Sequence, residues 1–174
     1  MFKEINTLKT FFESPGKEFN VRELARILKK SPATISKELK IFASEKVLIE
    51  RKERRFNFYK SNLESDTYKD VKIYYNIRKI KELGLIEELN NFYLKPTIIL
   101  FGSFSKGIDI ENSDLDLLII SERKADFERK ADFEKKLKRP IQLFITKNIK
   151  DLKNDYLIGN ILGGITLQGE IKWT

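Results

Sequence analysis

The sequence predicts an α+β chain built in two parts, and three observations predict it. In residues 1–63, apolar positions first recur at helical spacing and then fall into two short runs around a charged turn. In residues 96–120, two apolar runs of strand length bracket a glycine-containing loop. The charge is also uneven: residues 1–64 hold 15 Lys+Arg against 9 Asp+Glu, and the remainder 19 against 17. The expected division is a first domain over 1–63, a helical linker over 64–94 and a second domain over 95–174.

Taking the N-terminal elements in order, Phe2, Ile5, Leu8, Phe11 and Phe12 have helical spacing, and Ser14-Pro15-Gly16 ends that helix. Phe19 falls in a short strand. Asn20 caps the next helix with Glu23 three residues on, as in a capping box, and Val21, Leu24, Ala25 and Leu28 line one face up to Lys29-Lys30. Ser31-Pro32 opens a third helix with a cap and a proline at its first position. Ile35, Leu39 and Phe42 form its core face, leaving Thr34, Ser36, Lys37 and Lys40 on the other. Val47-Leu48-Ile49 reads as a strand, residues 51–55 as a charged turn, and Phe56 to Tyr59 as the returning strand.

Two short helices with a tight turn, followed by a hairpin, resemble the winged helix-turn-helix domains of prokaryotic transcription regulators. The resemblance rests on Val21-Arg22-Glu23-Leu24-Ala25 and Ser31 through Leu39. It implies that the 32–44 helix enters the major groove of double-stranded DNA, with Thr34, Ser36 and Lys37 reaching bases or phosphates. Lys40, Arg51, Lys52, Arg54 and Arg55 would meet the backbone, and a homodimer would read paired half-sites. Lys46 stands where that family often has glycine.

Composition narrows the chemistry of the rest. The 174 residues suffice for one domain or two small ones, and 41% hydrophobic with 34% charged residues is globular composition. With no cysteine there are no disulfides or thiolate metal sites. The absence of histidine removes the commonest general base and zinc ligand. Carboxylates must then serve, and they suit Mg²⁺ or Mn²⁺. No apolar run approaches a membrane span, and Met1 to Ile5 does not read as a signal peptide. The expectation is a soluble cytoplasmic protein without a membrane partner. The basic first third points to a polyanion such as nucleic acid.

Residues 66–92 read as two helices broken at Gly84, with Val71, Tyr74, Tyr75, Ile77 and Ile80, then Ile86, Leu89 and Phe92, as apolar positions. Residues 122–138 read as one charged surface helix. It holds a tandem echo, Ala125-Asp126-Phe127-Glu128-Arg129-Lys130 and Ala131-Asp132-Phe133-Glu134-Lys135-Lys136. Six residues is not a helical repeat, so Phe127 and Phe133 are expected on different faces.

Between the two apolar runs lies the chemistry. Pro96 to Phe101 ends in Gly102-Ser103, and a loop with Gly107 leads to Asp114-Leu115-Asp116 at the head of a buried strand. Alternation puts both carboxylates on one side and Leu115 and Leu117 in the core. Two adjacent carboxylates repel unless a cation lies between them, and Mg²⁺ takes one or two carboxylates with phosphate oxygens and waters. Gly102 lets a phosphate approach the backbone, and Ser103 adds donors.

The combination resembles the DNA polymerase beta superfamily, most closely the minimal nucleotidyltransferases, over residues 95–174. That resemblance implies a mixed sheet flanked by helices. It implies that Gly102 and Ser103 hold ATP or another nucleoside triphosphate, and that Asp114 and Asp116 are the metal-holding catalytic pair. Lys106 stands where these enzymes often have arginine, and residues 161–170 resemble their C-terminal segment. The family's third carboxylate, on the strand matched by residues 139–145, is here Gln142. Glutamine cannot accept the proton of an attacking hydroxyl. Two readings follow. In one, an enzyme transfers a nucleoside monophosphate to a hydroxyl on a protein or small molecule. In the other, an inactive domain senses a nucleotide and shifts DNA affinity through the 66–92 helices. By analogy alone, a toxin-neutralising partner is a third.

Overall fold

The computed structural model describes residues 5–171, so the expected helical position Phe2 lies outside the described residues. The chain divides between Tyr75 and Asn76 into two compact units.

The first unit holds α1 (Ile5–Glu13), β1 (Phe19–Asn20), α2 (Val21–Leu28), α3 (Pro32–Ser44), β2 (Leu48–Glu53), β3 (Phe56–Ser61) and the start of α4 (Asp66–Glu82). Its antiparallel sheet has the order β1-β3-β2. Caps act as the sequence suggests. The Asn20 side chain accepts from Glu23 N at 3.0 Å, and Ser31 Oγ accepts from Thr34 N at 3.1 Å. The reciprocal half of the Asn20 box is not made, because the Glu23 carboxylate turns to Lys17 at 3.4 Å. Lys29 takes a left-handed φ of 52° and ends α2 before the expected lysine pair. Ile35, Leu39 and Phe42 are buried together with Phe11, Phe12, Leu24 and Tyr59.

Two expectations about the hairpin are corrected. The first strand begins at Leu48, which leaves Val47 outside it. β2 runs through Glu53, so residues 51–53 are strand and the turn is only Arg54-Arg55, with Glu53 opposite Phe56. Arg54 has φ 51°, the positive value that two-residue hairpin turns require. Lys46 adopts φ 59°, the left-handed conformation that glycine takes most easily.

The second unit holds the rest of α4, then α5 (Leu85–Tyr93), β4 (Thr97–Phe101), α6 (Gly102–Ser105), β5 (Leu115–Ile120) and α7 (Lys130–Leu137). β6 (Ile141–Thr146), a 3-10 turn (Ile149–Asp151), α8 (Asp155–Leu162) and β7 (Ile165–Gln168) complete it. The sheet order is β6-β5-β4-β7, with β5 and β6 parallel and the other pairs antiparallel. This is a mixed sheet buried on both faces. Leu100, Leu115, Leu117 and Ile119 pack with Leu89, Tyr93 and Phe133, while Ile99, Phe101 and Leu118 pack with Ile149 and Ile161. Within residues 64–94, Tyr68 and Tyr75 belong to the first cluster, and Ile80, Leu85, Leu89 and Tyr93 to the second.

The expected helix over 122–138 is half loop. Only the second copy of the echo is helical, in α7. The first is held out of the helix by tertiary contacts: Tyr93 Oη donates to Ala125 O at 2.8 Å, and Phe127 packs edge-on against Phe92 with ring centroids 5.4 Å apart. With one copy non-helical, the helical-face argument fails. Phe127 and Phe133 are both buried and stack at 6.0 Å.

Candidate functional site

β4 ends at Phe101, opposite Asp116 on the antiparallel neighbour β5. The chain then turns through Gly102 at φ 71°, where a Cβ would collide with the Asp116 carboxylate. Only glycine combines that backbone with that approach. α6 follows, pinned by Ser105 Oγ donating to Gly102 O at 2.9 Å and by Lys106 N and Ile108 N donating to Ser103 O at 3.2 and 3.1 Å. Ser103 is half-buried in this turn.

Asp114 precedes β5, and Asp116 lies within it. Leu115 and Leu117 are fully buried on the opposite side, as alternation requires. Burial pushes the Asp116 carboxyl pKa up, and the negative charge of Asp114 adds to the shift. The parallel register sets Gln142 of β6 directly beside Asp116, and the Gln142 amide donates to Asp114 Oδ2. Gly102, Asp114, Asp116 and Gln142 thus form one cluster. Lys106 is exposed and binds Asn160 Oδ1 of α8 at 3.1 Å.

Among the described residues, none of Asp132, Glu134 and Asp151 takes the place of Gln142. Glu134 accepts from Ile141 N at 2.9 Å, and Asp151 closes a capping box at the 3-10 turn. Asp132 is exposed on α7. Among the described residues no group of three or more Asp, Glu, His or Cys could hold a metal ion. The cluster therefore offers two carboxylates and an amide.

Sequence reasoning missed Asn76 and Asp109. Both are buried, and Asn76 Nδ2 donates to Asp109 Oδ1 at 2.8 Å and to Phe104 O at 3.1 Å, holding the loop between the two strands. An aspartate in a polar loop and an asparagine in a helix carry no sequence signal for this pairing.

In the first unit, Thr34, Lys37 and Lys40 are exposed on α3 and Ser36 is half-buried. Lys52, Arg54 and Arg55 are exposed and make no ion pair among the described residues. Arg51 differs: it pairs with Glu18 at 2.7 Å and Glu53 at 2.6 Å, which push its pKa further up. Its charge is already matched within the protein.

The family model described as Polymerase beta, Nucleotidyltransferase matches residues 85–167. That segment, which takes in β4, β5 and β6 around the cluster, is a nucleotidyltransferase-like domain. Its match begins with α5, ahead of the strands that carry the motif. Among solved structures, a chain in the crystal structure of a toxin-antitoxin with AMP-PNP is similar. Identity is 23%, covering 51% of this chain and 73% of that one, with a TM-score of 0.40. No curated protein matches. No helix among the described residues is long and apolar enough to cross a membrane.

Proposed function

We propose that the second unit binds a nucleoside triphosphate such as ATP together with Mg²⁺ (or Mn²⁺), and that residues 1–63 are a winged helix-turn-helix domain binding double-stranded DNA. The chain is then a nucleotide-responsive DNA-binding protein, active as a homodimer. The observation that carries the reading is the close approach of Gly102 to Asp116, next to Asp114: a bare backbone turn against paired carboxylates. Two repelling carboxylates without a third carboxylate fit a hard cation that completes its shell from phosphate oxygens and water. Asp114 and Asp116 would hold it, and it would neutralise phosphate charge there. Gly102 and Ser103 present backbone to the phosphates, and Lys106 adds a cation at the end of the same turn.

Binding without transfer is favoured by Gln142, which already donates to Asp114 and has no capacity to take a proton. The second reading, nucleoside monophosphate transfer, is favoured by the intact Asp114/Asp116 pair. In it an acceptor hydroxyl forms a bond to the α-phosphorus, the bond to pyrophosphate breaks, and the hydroxyl proton passes to Asp114, Asp116 or water. Electrostatic stabilisation would supply most of the rate.

Calorimetry with ATP and Mg²⁺, on the wild type and Asp114→Ala, tests the shared claim; no binding by the wild type sinks it. DNA affinity with and without nucleotide tests the sensor, since a nucleotide that binds both states equally shifts nothing. Labelled ATP incubated with a lysate separates the readings: label transfer that is absent in Asp114→Ala establishes the enzyme. A sedimentation profile showing only monomer, alone and on DNA, removes the homodimer.

A further inference from the structure

Helix α8 divides into two faces of opposite character. Leu157 and Ile161 pack into the core on one face of the mixed sheet. The outer face presents Tyr156 and Asn160, one turn apart and therefore neighbours. Tyr156 is 82% exposed, more than any other large apolar side chain among the described residues. Between them lies Gly159, around which a Cβ would meet nothing within 4 Å, so the ring stands beside open space. This face adjoins the phosphate-side turn, because Asn160 Oδ1 accepts from Lys106 Nζ at 3.1 Å and Lys106 N in turn donates to Ser103 O. An aromatic ring this exposed gains little for the fold, since most of its apolar area remains in water.

We infer that this face of α8 is the nucleobase subsite of the nucleotide site, with Tyr156 the platform on which a purine stacks and Asn160 the link that sets α8 against Lys106. The inference rests on the nucleotide-binding reading above. Stacking on an aromatic ring accepts any base with a large π face, so ATP and GTP bind alike and both outbind CTP and UTP.

The experiment measures binding of ATP, CTP and inorganic tripolyphosphate, each with Mg²⁺, to the wild type, Tyr156→Ala and Tyr156→Phe. Because Tyr156 is exposed, neither substitution disturbs the core. ATP binding should weaken about ten- to hundredfold in Tyr156→Ala and stay unchanged in Tyr156→Phe, while tripolyphosphate binds all three proteins equally. The Tyr156 ring protons should shift upfield when ATP is added. Wild-type affinity for ATP in Tyr156→Ala, or ATP and CTP bound equally by the wild type, overturns the subsite and leaves the phosphate site standing. Failure of the wild type to bind either ATP or tripolyphosphate overturns both.

Discussion

Gly102→Ala asks the most of the proposed site, because its effect follows from two separate features of one residue. The left-handed backbone at φ 71° costs an L-residue about 1–2 kcal/mol. A stiffer unfolded chain returns about 0.4–1 kcal/mol of that. The new Cβ then lands on the Asp116 carboxylate. β5 cannot yield, since Leu115, Leu117, Leu118 and Ile119 are all fully buried, so the carboxylate must rotate away. Turning it off its rotamer adds about 0.5–1.5 kcal/mol, so the net loss of stability is about 0.5–3 kcal/mol, and each kcal/mol lowers Tm by about 4–8 °C for a unit of this size. Binding of MgATP should fall as well, by at least about tenfold, equivalent to about 1.4 kcal/mol, because the displaced group is one of two proposed cation ligands. Urea unfolding and calorimetry on the full chain measure the two effects. Gly16→Ala is the control: its φ is not positive and a Cβ there meets nothing within 4 Å. A Gly102→Ala protein with wild-type unfolding midpoint and wild-type MgATP affinity would falsify the packed turn and its role together.

Phe127→Ala should cost the second unit about 3–5 kcal/mol in urea unfolding; a cost below about 1 kcal/mol would return Phe127 to the surface. On DNA, Arg55→Ala should reduce the salt slope by about 0.9, whereas Arg51→Ala, whose charge is matched by Glu18 and Glu53, should leave it unchanged. Equal losses in an anisotropy titration across salt would refute that distinction. The raised pKa of Asp116 means that the folded chain holds a proton that the unfolded chain releases as pH rises past its ordinary carboxylate value. Stability therefore falls as pH rises through the window between the two pKa values, and the cost is complete above the folded one. Asp116→Asn should be more stable than wild type at neutral pH, with the gap closing in acid; a gap independent of pH in urea midpoints would refute this.

What the sequence made legible was local. Ser31 and Asn20 cap their helices because the donors they satisfy lie within three residues, and alternation in Leu115–Ile120 assigns its two faces without reference to other strands. The family resemblance puts Gln142 at the third position, and the parallel register of β5 and β6 sets it against Asp116. The failures are tertiary. Residues 122–129 have helix-forming composition, yet Arg123 lies over the Phe92 ring at 3.9 Å and donates to Phe92 O, and Tyr93 holds Ala125. These contacts outweigh propensities worth tenths of a kcal/mol per residue. Asn76 and Asp109 meet across 33 positions of sequence, a separation at which no periodicity operates. The helix face carrying Asn160 likewise joins the turn only through a contact with Lys106 that spans 54 positions.

Gln142 changes what the aspartate pair requires of its surroundings. Three carboxylates in one cluster are relieved by a bound cation, by holding a proton, or by donated hydrogen bonds. Here the Gln142 amide donates to Asp114, so part of the repulsion is met inside the protein, and the cation-free cluster is more stable than a three-carboxylate one would be. Gln142→Asp removes that donor and adds a charge beside Asp116. Without Mg²⁺ the variant should unfold at lower urea than wild type, and its Asp116 pKa should rise further. Saturating Mg²⁺ should then raise its midpoint by more than it raises the wild type's, since stabilisation by a ligand grows as RT ln(1 + [L]/Kd) and the added carboxylate lowers Kd. If transfer is the function, the same substitution restores a proton acceptor and should raise the rate of label transfer; if sensing is the function, it should alter the nucleotide's effect on DNA affinity and leave transfer absent. Identical Mg²⁺ increments in wild type and Gln142→Asp would mean that position 142 does not face the cation, and the replacement of the third carboxylate would then have no bearing on the chemistry.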